Sequence, residues 1–412
     1  MVNPSDNICG SCCSASSEET MLQSSKTPPC PDGCINCTKH LTRPCCVLLE
    51  VTQRCNLRCP VCFTGAESSG SNTAEDPSLE TITFWYRRLF ERAGACHIQL
   101  SGGEPTLRDD LDEIIRIGKE EGFSYFQLNT NGMRLAEEPK LALQLKEAGL
   151  TCVFLQFDGM NDRVHKIMRG KSLQAIKEAA VDACAAAELP VVLVPTVAGG
   201  VNEQELMPLV AYGMSKSPTV RGIHIQPMAR FGRADVEATH ITNADVVALL
   251  QEQSDGMICS CHFSGGNAEH HDCSINAHYF ITDEGGLKPS GVKRTSCCDD
   301  AVEQAQDIQM RRWGTNLSSI AKERPPQGTM DDFLWKTKTR SFAITGMAFM
   351  DEETLDIERL RRCYLFIVAP DGTPIPFCAY NSALREKLQS ETVHCNLPAE
   401  QEKANESPCC CG

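Results

Sequence analysis

CCVLLEVTQRCNLRCPVCF, residues 45–63, is the stretch on which the fold of this chain turns. Its first part, 45–52, is an almost unbroken apolar run of strand length, rich in Val and Leu, and reads as a buried parallel strand. Directly after it come Cys55, Cys59 and Cys62, spaced C-x3-C-x2-C. Outward from there the pattern repeats. HIQLSG (97–102), YFQLNT (125–130), VFLQFD (153–158), VVLVPTV (191–197) and GIHIQP (222–227) are further short apolar runs. Between them, residues 79–93, 109–121, 137–149, 172–188 and 203–216 place apolar side chains at the helical period. Asp109–Asp110 stands where a helix N-cap belongs, and Gly149 where the third helix should stop. Strands alternating with helices in this way predict an α/β fold, a partial (β/α)6 TIM-like barrel or an open doubly wound sheet, with function at the C-terminal ends of the strands.

After residue 256 the rhythm breaks. Residues 256–300 are rich in Gly, His and Cys, 312–330 contain Pro325–Pro326 and read as a linker, and 340–380 hold short strands with a turn at Asp371–Gly372. The expected organisation is a disordered Cys-containing tail over 1–29, a Cys-rich metal segment over 30–44 and a core domain over 45–255. A Cys-rich extension over 256–395 and a disordered tail over 396–412, ending Cys409-Cys410-Cys411-Gly412, complete it.

The 412 residues carry a formal charge of −15, so no basic footprint for nucleic acid is present, and aromatics at 6% give no base-stacking surface. No apolar run approaches the roughly 18 residues of a membrane helix, and the first residues lack the pattern of a secretory signal. A cytoplasmic location is expected. Cysteine is the outlier, with 25. In a reducing compartment such a count points to metal binding rather than disulfides. The cysteines are bunched, as multi-ligand sites require; Cys96, Cys152 and Cys184, alone in apolar or alanine-rich contexts, read as core filler.

Three thiolates from Cys55, Cys59 and Cys62 suit a [4Fe–4S] cube with one iron left open to an outside ligand. Cys30, Cys34 and Cys37 repeat the same spacing upstream and are followed by Cys45–Cys46, which suits an auxiliary [4Fe–4S] cluster, a rubredoxin-like iron or tetrahedral zinc. Cys273, Cys297, Cys298, Cys363 and Cys378 form a third group, from which Cys273, Cys298, Cys363 and Cys378 are the expected ligands of a further metal site. His262, His270 and His271 are alternative ligands, though they read more readily as solvated loop histidines. The vicinal thiols Cys12–Cys13 and Cys409–Cys411 suit soft-element capture or thiol exchange. At the end of the second strand, Ser101-Gly102-Gly103-Glu104-Pro105 combines close backbone approach with a carboxylate able to bind an ammonium group.

The cysteine loop resembles the defining motif of the radical S-adenosylmethionine (SAM) superfamily, and Gly102-Gly103-Glu104 resembles that family's GGE motif. Members have an aromatic residue before the third cysteine; here Val61 stands there, with Phe63 near but not equivalent. QLSGGEPTLRDDL, FQLNTNGMRLA, FLQFDG and Met168-Arg169-Gly170 are similar to the branch containing tetraether-lipid synthase and proteins once assigned to pterin methylation, over roughly residues 45–230. TSCC, SFAITGMAF, RRC and PFCAYN resemble relatives of that branch. The resemblance implies that SAM chelates the open iron and is reductively cleaved to a 5′-deoxyadenosyl radical that activates a C–H bond, for C–C bond formation or transfer of a methyl or sulfur group. It implies Glu104 on the SAM amino group and Thr130 and Gln156 near its ribose or carboxylate. One or two auxiliary iron–sulfur clusters and a low-potential electron donor such as ferredoxin or flavodoxin are also implied. A peptide maturase is the second enzymatic reading, and a non-catalytic iron–sulfur electron carrier or metal chaperone the non-enzymatic one. The substrate is not named by these residues; a deep apolar barrel mouth would favour a lipid.

Overall fold

The computed structural model describes residues 43–66, 75–265, 269–290, 301–321 and 323–385. The chain enters with β1 (Cys46–Thr52), runs through the cysteine loop with the short β2 (Val61–Cys62), and then alternates. There follow α1 (Leu79–Ala93), β3 (His97–Gly102), α2 (Leu111–Glu120), β4 (Phe126–Thr130), α3 (Met133–Glu137), α4 (Lys140–Ala148) and β5 (Cys152–Gln156). Next come α5 (Asp162–Arg169), α6 (Gln174–Ala186), β6 (Val191–Val194), β7 (Thr196–Val197), α7 (Leu206–Ser215), β8 (Val220–Pro227), β9 (Arg233–Ala234) and α8 (Asn243–Gln253). The remainder supplies β10 (Ser274–Ile281), β11 (Leu287–Pro289), α9 (Ala301–Trp313), α10 (Met330–Thr339), β12 (Ser341–Met347), α11 (Ile357–Arg361), β13 (Leu365–Val368) and β14 (Pro374–Pro376).

Local chemistry explains these boundaries. The Ser78 hydroxyl accepts the Thr81 N–H to start α1, which ends at Gly94 with φ 71°, a conformation glycine adopts without strain. The inward face of α1, Ile82, Trp85, Tyr86, Leu89 and Ala93, follows the 3–4 spacing that marked it as a helix. α2 starts at Asp110 as the sequence suggests, although that side chain makes no capping hydrogen bond; it is held instead by Arg108.

The main sheet runs β11-β10-β12-β8-β6-β5-β4-β3-β1-β13-β14. β1, β3, β4, β5, β6 and β8 are the six strands expected from the sequence, and they pair in parallel. β12 adds in parallel beside β8 and β13 in parallel beside β1. The expected boundary at 255/256 is therefore no boundary in the sheet. The physical reason is that six parallel strands leave two rows of unpaired backbone groups, and the C-terminal segment covers both edges.

Alternation along each strand divides its side chains. Val47, Leu49, Val51, Ile98, Leu100, Phe126, Leu128, Val153 and Leu155 turn outward into the principal core under the helices. Their neighbours Cys46, Leu48, Gln99, Gln127, Asn129, Phe154, Gln156, His224 and Gln226 line the barrel bore. Across the N-terminal strand ends lies α9: Gln306 donates to the Cys45 carbonyl (3.1 Å), Gln309 pairs with His97 Nδ1 (3.0 Å), and Trp313 packs with Tyr125, Cys152 and Phe154. One end of the bore is thus closed, and the other opens toward the cysteine loop. Among the described residues, no helix is long and apolar enough to cross a membrane.

Candidate active site

The loop after β1 is fastened from three sides. β2 pairs with β9, Val61 to Ala234 and Cys62 to Arg233. Arg233 donates to the carbonyls of Cys59 (2.9 Å) and Gly65 (3.0 Å). Gly232, at φ 51°, passes so close that a Cβ there would lie 2.7 Å from the Cys62 carbonyl oxygen. On the β4 side Asn131 donates to Asn56 Oδ1 (2.7 Å), and on the β5 side Arg169 donates to the Val61 carbonyl (2.7 Å). Held this way, Cys55, Cys59 and Cys62 share one apolar patch with Leu57, Met133 and Leu173, and all three line the bore. Burial pushes the Cys55 thiol up to about 12 against the Leu57 N–H, and it raises Cys59 against the charge of Arg169. Three unoxidised thiols gathered in a dry patch, with a guanidinium beside them, match the donor set of a thiolate-ligated cluster, whose negative charge the cation offsets.

Gly102 and Gly103 face the first strand rather than open space. A Cβ on Gly102 would sit 2.1 Å from the Thr52 carbonyl oxygen, and one on Gly103 2.2 Å from that of Arg54. Their lack of side chains lets Gly103 N–H reach Thr52 (2.9 Å) and Glu104 N–H reach Arg54 (2.8 Å), which ties this turn to the cysteine loop. Glu104 is buried beyond them. Its Oε1 accepts the hydroxyls of Thr130 (2.6 Å) and Thr106 (2.7 Å), and its Oε2 accepts the Asn131 N–H (2.7 Å). Thr130 also accepts the Gly132 N–H (3.0 Å), which fixes the hydroxyl that donates to Glu104. Gln156 donates to Asp158 and accepts from Lys177 (2.9 Å).

Sequence reasoning missed Lys177, and it quoted Asp158 and Arg169 within motifs without giving them a role. Lys177 is fully buried on α6 and donates to the Asn131 carbonyl (2.5 Å) as well as to Gln156; burial lowers it to about 8. Its signal was present, because Lys177 stands on the apolar stripe Leu173, Ala180, Val181 and Cys184. Asp158 and Arg169 form a buried bidentate pair (2.7 and 2.8 Å) that joins the β5 end to α5 and, through Val61, to the cysteine loop.

The second thiol group is partly assembled. Cys273, at the start of β10, Cys363, before β13, and Cys378, after β14, fall in one region of the fold without their three sulfurs coming within 4.8 Å of one another, and burial raises all three. Arg359 donates to Cys273 Sγ (3.5 Å). Cys298 lies outside the described residues, as do Cys30, Cys34, Cys37, Cys297 and both terminal thiol runs. Cys259, Cys261 and His262 bring their ligand atoms within 4.8 Å of one another, as do His270, His271 and Asp272. Cys96, Cys152 and Cys184 are buried as core, with Tyr125 Oη 3.2 Å from Cys152 Sγ. The bore itself is a cavity of about 290 Å³ reaching from the cysteine loop down to Trp313.

Residues 49–212 match the family model of the Radical SAM superfamily. A 7,8-dihydro-6-hydroxymethylpterin dimethyltransferase from Methanocaldococcus jannaschii is 30% identical over 426 aligned residues, covering 91% of this chain and 83% of that protein. A GTP 3',8-cyclase from Staphylococcus carnosus is 25% identical, covering 76% of this chain and 92% of its own length. Among solved structures, SuiB from Streptococcus suis bound to the precursor peptide SuiA matches with a TM-score of 0.44 at 13% identity, over 52% of this chain and 46% of that one.

Proposed function

The chain belongs to the radical SAM superfamily, and from that premise we propose that Cys55, Cys59 and Cys62 hold its [4Fe–4S] cluster and that Glu104 receives the SAM ammonium. The family's cofactors, cluster and SAM together, supply reductive cleavage of SAM to a 5′-deoxyadenosyl radical. What this chain's residues do is bind, orient and keep dry. The observation that carries the assignment is the convergence of three thiols and one buried, hydrogen-bonded carboxylate on the same end of the bore. Thr106, Thr130 and the Asn131 N–H fix the Glu104 carboxylate, so its charge is aimed before any ligand arrives. Gln156 and Lys177 brace the wall beside it, and Lys177 places a positive charge near the position expected for the SAM carboxylate. Arg169, paired with Asp158, and Arg385, paired with Glu50 (2.7 Å), lie buried near the cysteine loop, where their guanidinium groups would temper the negative charge of a bound cluster.

Cys273, Cys363 and Cys378, with Cys298, are proposed to hold an auxiliary cluster, and Cys30, Cys34 and Cys37 a further metal. A low-potential donor such as ferredoxin or flavodoxin would supply the electron, and a cytoplasmic setting fits that supply. The archaeal relative's name favours group transfer over peptide maturation and puts a pterin among the substrates to test. The test is anaerobic reconstitution followed by assay of 5′-deoxyadenosine formed from SAM and dithionite. Product is expected from the wild type and none from Cys55→Ala, Cys59→Ala or Cys62→Ala. A near-native rate in any one of those variants would overturn the assignment.

A further inference from the structure

The side chains that turn into the bore below Glu104 have a chemistry of their own. Gln99, Asn129, Gln226 and His224 come from three different strands, β3, β4 and β8, and occupy inward positions of otherwise apolar runs. Their hydrogen-bonding capacity is only partly used within the protein. Gln99 accepts the Cys46 thiol through Oε1 (3.6 Å), Asn129 accepts Gln127 through Oδ1 (3.5 Å), and His224 uses Nδ1 with Thr345 (2.8 Å). Among the described residues, the Gln99 and Asn129 amide nitrogens, His224 Nε2 and the whole Gln226 amide have no protein partner. All of these residues border the cavity. Groups of this kind facing a hollow are completed by whatever enters it.

The walls between them are flat. Phe154 and Trp313 meet edge to face at 4.9 Å between centroids, and His224 lies 6.0 Å from Trp313. Burial lowers His224 to about 4, so its ring is uncharged near neutral pH. The charged groups that reach the bore are already engaged: Arg169 with Asp158, Arg312 with Asn276 (2.7 Å), and Glu269 with Ser274. A triphosphate needs uncommitted cations, and an acyl chain would strand the open amides without partners.

Resting on the radical SAM reading of the same site, we propose that the bore binds a neutral, flat, hydrogen-bonding heterocycle. Gln99, Asn129, Gln226 and His224 contact its edge, and one ring of the perpendicular Phe154–Trp313 pair lies on a face while the other meets its rim. The ligand is held below the SAM position, where an abstractable hydrogen can be presented to it.

The test uses the full chain, reconstituted anaerobically, with calorimetric titration of 6-hydroxymethylpterin, guanosine, GTP and palmitate in separate runs. At least one of the two neutral heterocycles is expected to bind, more tightly than GTP or palmitate. Gln99→Leu and Gln226→Leu, similar in volume and on separate strands, should each weaken that binding roughly three- to tenfold. Circular dichroism and iron content of each variant show that it is folded and loaded. Preference for GTP or palmitate, no binding by either neutral heterocycle, or unchanged affinity in both folded variants would overturn the proposal. Absence of 5′-deoxyadenosine from the wild type would instead strike the radical SAM reading, so the two failures are told apart.

Discussion

Asp158→Asn and Arg169→Met cut the same buried pair from opposite sides and should not behave alike. Both side chains are nearly or fully inaccessible, at 0% and 8%, and their contact is bidentate at 2.7 and 2.8 Å. Removing one member leaves a charge in the interior without its partner, which costs about 3–5 kcal/mol. In Asp158→Asn the stranded group is a guanidinium, which keeps its proton at any working pH. In Arg169→Met it is a carboxylate, which can neutralise itself. Burial alone would raise Asp158; in the native chain Arg169 and the Thr196 N–H outweigh that and hold it below its ordinary value. The native carboxylate therefore contributes stability above its unfolded value of about 3.9, and loses it only as pH falls through the lower folded value. Without Arg169 the folded value moves above the unfolded one. The variant then keeps its stability below about 3.9 and loses it as pH rises toward the new value, by up to about 1.4 kcal/mol per unit. Urea unfolding of the metal-free chain at several pH values, followed by tryptophan fluorescence, measures this. Above pH about 3.9 the gap between wild type and Arg169→Met should widen with pH, while the gap to Asp158→Asn should stay level. Losses below about 1 kcal/mol, or the same slope in both variants, would refute the reasoning.

Three further outcomes are expected. Glu104→Gln should weaken SAM binding about tenfold or more while iron content holds, because a charge-assisted bond of roughly 1.5–3 kcal/mol is lost; unchanged affinity by equilibrium dialysis would remove Glu104 from the SAM site. Iron and sulfide analysis should find clearly more than the roughly four irons of one cluster, with the excess kept when Cys55, Cys59 and Cys62 are all Ala and reduced in Cys363→Ser and Cys378→Ser. About four irons in the wild type and none in the triple variant would leave the outer thiols without iron. Lys177, lowered to about 8 by burial, sheds its proton in the fold before the unfolded value of about 10.4 is reached. Native stability should therefore rise between those pH values relative to Lys177→Met, by up to about 3 kcal/mol, and parallel pH profiles of the two proteins would count against a buried charged lysine.

The cysteine loop, the six core strands and the turn at Gly102-Gly103-Glu104 were legible in the sequence because each is local. A run such as CVLLEVT specifies a strand by composition, and three cysteines within eight residues must share a loop. The bore's polar lining was partly legible too, since Gln99, Gln127 and His224 interrupt apolar strands at every second position. What the sequence could not decide is which distant segments answer one another. Pairing of β12 and β13 with the open edges depends on backbone groups that any strand could satisfy, so 341–347 and 365–368 carried no mark of their place. Arg169 and Lys177 carried little more, Lys177 only its place on an apolar helix stripe, because a cation on a helix reads as solvated until the partners that hold it inside are known: Asp158 and Gln156, eleven and twenty-one residues away. The approach of Cys273, Cys363 and Cys378 is of the same kind: gaps of about ninety and about fifteen residues have no period, and only folding the sheet brings their strands' ends together.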